Sequence, residues 1–396
     1  MEYRFSDRIS NLKPSAIREI LKNSDPNIIP LAAGNPAVES FPIAEMKEIA
    51  NHIFDTQAGI AFQYGVTEGY TPLREAIRQR LHDKFHMGIE KDELIIVSGG
   101  QQGIDLATKV LCNEGDVIVS ETPAFIGALN TFRSYGAVLK GVDVLEDGMD
   151  LEALERTFQE NKNVRMLYTI PSFQNPLGTC TSLEKRKAIY DLCVKYDVII
   201  LEDNPYGELR FDGEDIPTIK SMDTEGIVVY MGSMSKVMSA GIRVGFVLAP
   251  APIIAKMTVG KQASDVHTNL FFQMLINEYM RNYDFDGHIE KIRKLYRHKS
   301  SLMLEAIRET FPKEVGYTVP QGGLFLWCTL PEGADMLAFV QYCKEKGVSV
   351  VPGVAFNVEK GTPSRCFRLN YSTPSDEKVV EGTRILGKAL HEFLKA

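Results

Sequence analysis

The chain has 396 residues, 44% hydrophobic and 24% charged, enough to bury a large core with neither disulfides nor structural metals. Its 44 Lys and Arg against 52 Asp and Glu leave a formal charge of −8, which excludes a protein that coats nucleic acid through a basic surface. The six cysteines form no CxxC pair, the histidines show no metal-ligand spacing, and neither a spanning apolar run nor an apolar signal core is present, so composition predicts a cytoplasmic protein with reduced thiols, no metal and no membrane partner.

Along the chain, Pro30, Gly34 and Pro36 interrupt an N-terminal segment that reads as an arm folding back on a later unit. Short β-rich runs then alternate with amphipathic stretches. Glu93–Val97 predicts a strand, Ser98-Gly99-Gly100 a turn and Gln101–Leu111 a helix. Val117–Ser120 is the next strand, Leu151–Phe158 a helix, and Met166–Ile170 a strand apolar enough to be buried on both faces. Thr181 and Glu184 make a T-x-x-E capping box that opens a helix running to Tyr196. Val198–Leu201 and Ile227–Tyr230 are further strands. This rhythm predicts an α/β fold with a mostly parallel sheet covered by helices on both faces. A charged helical stretch from His288 to Glu309 leads to a smaller α+β unit, with strands Gly323–Cys328, Val348–Val351 and Arg365–Tyr371 around the helix Asp335–Lys346.

Ligands of such sheets collect beyond the carboxyl ends of the strands. One strand end carries Ser98-Gly99-Gly100-Gln101-Gln102, a turn that exposes N–H groups at a helix start but by itself is commonly just a tight turn. Another carries Pro171-Ser172-Phe173-Gln174-Asn175-Pro176-Leu177-Gly178, which frees Asn175 to donate into a crevice. A third ends in Asp203-Asn204-Pro205-Tyr206, where an acid is more often a helix cap than a catalyst. The fourth carries Ser233, Ser235 and Lys236, with Arg243 seven residues beyond the lysine. Two hydroxyls and an arginine can share one phosphate, and a charge behind a buried strand is seldom idle. A phosphate-bearing carbonyl cofactor held on a lysine as a Schiff base uses all four ends, with the carboxylate keeping a pyridinium nitrogen protonated. That combination describes a pyridoxal phosphate site.

The segment SMSKVMSAGIRVGF resembles the lysine segment of the class I/II aminotransferases of fold type I, which carry pyridoxal 5′-phosphate. QYGVTEGYTPLREAI, SGGQQGIDL, ETPAFIGA, PSFQNPLG, EDNPYGEL and FRLNYS follow the family's order, and AIREIL, PSFQNP and SDVHT are most similar to its 2-aminoadipate and kynurenine aminotransferase branch. The resemblance implies a mostly parallel seven-stranded sheet in a large domain (46–285), a smaller α+β domain (286–396) and an arm (1–45). It implies Lys236 as the attachment point, Asp203 on the ring nitrogen, and Asn175 and Tyr206 on the ring oxygen. Gly100, Gln101, Ser233, Ser235 and Arg243 would hold the phosphate, and Phe125 would stack on the ring. Tyr64 would reach the phosphate of a second subunit, implying a homodimer with shared sites. Arg368 would clamp the substrate α-carboxylate beside Gly34, Asn35 and Asn175. Gly100 stands where the family often has a hydroxyl, and Phe125 where it often has Tyr; neither change removes chemistry.

The implied reaction moves the amino group of an L-amino acid (aminoadipate, branched-chain or aromatic) to 2-oxoglutarate in a PLP/PMP ping-pong cycle, with Lys236 carrying the proton. Arg18 would receive a side-chain carboxylate, against the plainer reading of an exposed helix arginine. The alternatives are a C–S β-lyase acting on sulfur amino acids, an aspartate-preferring aminotransferase, and the sensing domain of a transcription regulator.

Overall fold

Strands of five or six largely apolar residues supply six of the eight strands of the central sheet in the computed structural model. It describes residues 3–10, 12, 27–359 and 361–395; Arg18 lies outside them. Strands β1 (Asp92–Val97), β2 (Val117–Thr122), β3 (Val138–Leu145), β4 (Gly148–Met149), β5 (Val164–Thr169), β6 (Ile199–Asp203), β7 (Val228–Ser233) and β8 (Gly245–Pro250) lie in the order β1-β8-β7-β6-β5-β2-β3-β4. Neighbours from β7 to β3 are parallel, whereas β8 runs against both β7 and β1. The expected seven strands are joined by an eighth, the two-residue β4, which folds back antiparallel on β3. The antiparallel β8 needs no crossover helix, because a short connection suffices between strands that run in opposite directions. Leu94 to Val97 of β1 are all fully buried, as expected of a strand covered on both faces.

Helices α1 (Gly100–Leu111), α2 (Ile126–Ser134) and α3 (Leu183–Tyr196) follow strands of this sheet. The start of α3 differs from the expected capping box by one residue. Ser182 is the cap, accepting from the Lys185 N–H at 3.3 Å. Thr181 is instead held through its backbone, donating to the Pro171 carbonyl and accepting from Arg186.

A second, antiparallel sheet has the order Gly316–Tyr317, Phe325–Thr329, Cys366–Asn370, Val351–Pro352. The strand expected over Val348–Val351 is split. Val348–Ser349 pairs in parallel with Ile29–Pro30, while Val351–Pro352 joins the antiparallel sheet. The N-terminal segment thus folds back on the smaller unit, and the Leu31 carbonyl accepts from the Asn370 N–H at 2.8 Å. The helix Phe285–Thr310 packs along the C-terminal helix Asp376–Phe393. No helix among the described residues is long and apolar enough to cross a membrane.

One buried ion cluster ties the edge of the main sheet to the loop before β7. Lys220 sits fully enclosed with Asp92 and Asp223, each 2.9 Å from its ammonium. Removing the cation strands two carboxylates in the interior, a change that costs about 3–5 kcal/mol. Lys220→Met is therefore expected to lower unfolding stability by that amount in urea titration, and a loss under about 1 kcal/mol would show that water reaches the acids.

Candidate active site

The carboxyl ends of β1, β5, β6 and β7 open into a cleft of ≈ 1040 Å³ closed on its far side by the smaller sheet. Every candidate residue lines it except Tyr64 and Arg18. Arg18 is outside the described residues. Tyr64 is 81% exposed, edge-on to His267 at 5.8 Å, and the structure does not bring it into the cleft of its own chain.

Lys236 follows β7 and donates from Nζ to the Gly34 carbonyl at 2.8 Å. Burial, with the positive Arg368 and Arg243 nearby, pulls its amine down to about 8. Asp203 closes β6 and is buried. Burial pushes its carboxyl up to about 7, against the opposing hydrogen bond from Tyr168. An amine pulled down and an acid pushed up leave both groups near their midpoints at neutral pH, the usual condition of proton-transfer sites.

Asn175 bridges the two sheets. Its Oδ1 accepts from Arg368 Nη1 at 2.7 Å, and its Nδ2 lies 3.5 Å from the Tyr206 hydroxyl. The guanidinium cannot accept, so this contact also sets which end of the amide is oxygen. The loop carrying Asn175 is held by the fully buried Arg186, which donates to the carbonyls of Pro171, Thr181 and Pro217 and to Ser172 Oγ. Gln174 adds a second tether, donating to Glu121 Oε2 at 3.1 Å and to the Pro123 carbonyl at 2.7 Å.

Arg368 is 2% exposed and pairs with no carboxylate among the described residues. Its guanidinium stacks 4.1 Å from the Phe325 ring centre and donates from Nη2 to the Ala32 carbonyl. Its Nε is a buried donor without a partner. Burial lowers its pKa to about 10, so it remains a cation at neutral pH. A buried cation with a spare donor is poised for a carboxylate.

The opposite end of the cleft suits a phosphate. Gly99 has φ +80°, and a Cβ there would lie 2.2 Å from Arg243 Nη2, so only glycine lets the guanidinium approach. The first-turn N–H groups of Gly100 and Gln101 have no intrahelical acceptor. Arg243, itself left-handed at φ 53°, reaches Ser235 Oγ at 3.5 Å and the Ser98 carbonyl at 3.2 Å. Ser233 Oγ accepts from the Ser235 N–H. The Gln101 side chain is spent on the Gly127 carbonyl and Thr131, so only its backbone is available to an anion. Phe125 caps the start of α2 with its ring against Gly127, where a Cβ would come within 2.5 Å of the ring.

Three contributors were not apparent in the sequence. Tyr168 was hidden in an apolar strand, although a hydroxyl in the middle of such a run is itself a signal. Phe325 lies inside the apolar run Gly323–Cys328 and Glu121 just past the run Val117–Ser120, so neither carries a local signal. Donors at one end, an acid at the middle, an amine and a spare guanidinium fit pyridoxal phosphate together with an amino acid.

The family model for aminotransferase class I and II matches residues 26–386. The chain is 39% identical to aromatic-amino-acid aminotransferase 1 of Thermococcus litoralis, covering 100% of this chain and 95% of the relative. It is 37% identical to the 2-aminoadipate transaminase of Thermus thermophilus, over 98% of this chain and 97% of that one. The crystal structure of Pyrococcus horikoshii kynurenine aminotransferase, solved with PMP and with KYN and KYA as substrate and product, superposes with a TM-score of 0.95 at 37% identity, covering 99% and 98% of the two chains. The chain belongs to the class I and II aminotransferases, with the α/β architecture of fold type I, and is a transaminase that uses pyridoxal 5′-phosphate.

Proposed function

We propose that the enzyme transfers the amino group of an aromatic, branched-chain or aminoadipate-type L-amino acid to 2-oxoglutarate in a ping-pong cycle. The observation that carries this reading is Arg368, a buried cation with an unpartnered Nε in the same cleft as Lys236. When bound, pyridoxal phosphate supplies the electron sink for charge that develops at the α-carbon. Arg368 and Asn175 then hold the α-carboxylate and so orient the α-proton. Lys236, kept close to neutral by burial, would take that proton at Nζ and pass it on rather than back to the α-carbon, while Gly34 anchors the amine through its carbonyl. Asp203 holds the ring nitrogen, Asn175 and Tyr206 the ring oxygen, and Phe125 the ring face. Gly100, Gln101, Ser233, Ser235 and Arg243 hold the phosphate.

The rest of the cleft favours a large, largely apolar side chain. Leu12, Ile104 and Ile126 line it beside the uncharged Asn130 and Thr131. The names of the relatives support the aromatic and aminoadipate donors in this range. Arg18 is kept in this reading as the receiver of a side-chain carboxylate. A second copy of the chain would cover Phe62 and Tyr64, 72% and 81% exposed, and bring Tyr64 to its neighbour's phosphate site. The domain limits 1–45, 46–285 and 286–396 and a cytoplasmic location complete the proposal.

Absorbance of the pure protein mixed with single amino acids and no oxo acid tests the reaction class. Bleaching of the visible band with release of the matching 2-oxo acid is expected, and release of pyruvate and ammonia from sulfur amino acids instead would make it a lyase. Lys236→Ala is expected to abolish turnover with an unchanged circular dichroism spectrum, and full retained activity would remove the lysine from the mechanism. Arg368→Lys loses the forked contact and should raise KM for the amino acid roughly 10- to 100-fold, with a smaller change in kcat. In cofactor-free protein, Lys236 is charged below about 8 and neutral above it. Its reductive alkylation, followed by peptide mass, should therefore reach half its maximum near pH 8, well below an ordinary lysine at about 10.4.

A further inference from the structure

Tyr168 sits next to the carboxyl end of β5, fully buried, and is not among the groups assigned above to the cofactor or the substrate. In the parallel register it lies opposite Leu201 of β6, two residues before Asp203. Residues two apart on a strand share a face, so the phenol and the carboxylate project to the same side of the sheet. The Tyr168 hydroxyl donates to Asp203 Oδ2 at 2.7 Å. This is the one hydrogen bond made to that carboxylate among the described residues. The ring is held in place by Phe132, edge-on at 5.4 Å.

The carboxylate needs that donor. Burial works against the anion, and Glu121 at the end of β2 adds a second negative charge nearby. Tyr206 and Tyr230 also feel the charge of Asp203, but among the described residues the hydrogen bonds made to their hydroxyls come from Asn175 and Asn204. Glu121 is itself occupied by Thr169, the Ile170 N–H and Gln174. Among the described residues only Tyr168 opposes these effects with a proton donor, and burial keeps the phenol protonated far above neutral pH.

We propose that Tyr168 is a positioning residue: its phenol holds one oxygen of Asp203, fixing the carboxylate as an anion and leaving the other oxygen for the protonated ring nitrogen of pyridoxal phosphate. The proposal rests on the reading that Asp203 serves that nitrogen. Tyr168 would touch neither substrate nor cofactor and would act only through Asp203.

Tyr168→Phe removes the hydroxyl and keeps the ring and its contact with Phe132. In cofactor-free protein, the infrared band of the protonated Asp203 carboxyl, assigned by its loss in Asp203→Asn, is expected to titrate near pH 7 in the parent. In Tyr168→Phe the midpoint should move up by about one unit, the loss of one hydrogen bond to a charged group. Coincident midpoints would overturn the proposal. Titration with pyridoxal phosphate at pH 7 should show affinity roughly tenfold weaker in Tyr168→Phe, recovering toward pH 9 as the carboxylate re-ionises. Placed on Asp203→Asn, the same substitution should weaken binding no further. An equal loss at every pH, or a further loss on Asp203→Asn, would make Tyr168 merely structural and overturn its role. A parent protein that binds no pyridoxal phosphate while the infrared shift appears as expected would overturn the reading of the cleft, and the ring-nitrogen assignment with it.

Discussion

The site depends on one buried guanidinium. Arg368 stands on the smaller sheet, pairs with no carboxylate among the described residues, and spends donors on Asn175 from the loop after β5 and on Ala32 from the N-terminal segment. Three parts of the chain far apart in sequence meet on this one cation. Taking it out of water without a counter-ion is costly, and carbonyl dipoles, the Asn175 amide and the faces of Phe325 and Phe356 offset only part of that cost. The remaining deficit is one that a carboxylate entering the cleft would relieve.

The same low-dielectric environment sets the chemistry at the middle of the cleft. It pushes Asp203 up to about 7 and pulls Lys236 down to about 8, although the two residues lie on successive strand ends of one sheet. Neither shift comes from the two groups pairing with each other. Lys236 is held by a carbonyl and Asp203 by a phenol, so both remain free to answer a ligand. Were they an ion pair, both shifts would be reversed and the amine would be a poor base.

Rigidity comes from the groups behind the cleft. Arg186 makes three hydrogen bonds to the loop that bears Asn175, at Pro171, Ser172 and Thr181, and two to Ile216 and Pro217, and Glu121 draws Gln174 and Thr169 toward the end of β2. These buried polar groups are satisfied, which is the condition under which such networks specify one geometry. At the phosphate end the same result is reached by sterics, since Gly99 admits a guanidinium where no side chain fits.

Much of this was legible in the residues. Apolar runs bounded by turns located β1, β2, β5, β6 and β7, because strands buried on both faces have little choice of composition. The strand ends then placed Asn175, Asp203 and Lys236 on one side of the sheet. β3 leaves no clear pattern because its burial is patchy along its length, and β8 because an antiparallel return needs no helix between strands to mark it. The sequence by itself determined the chemistry available: an amine, an acid, an amide and two arginines at recurring positions. Only the tertiary structure decided that Tyr168 reaches Asp203, that Arg368 is left with a spare donor, and that Tyr64 stays outside the cleft of its own chain. Each of these turns on distances between strands and loops far apart in the chain, and no local pattern encodes them.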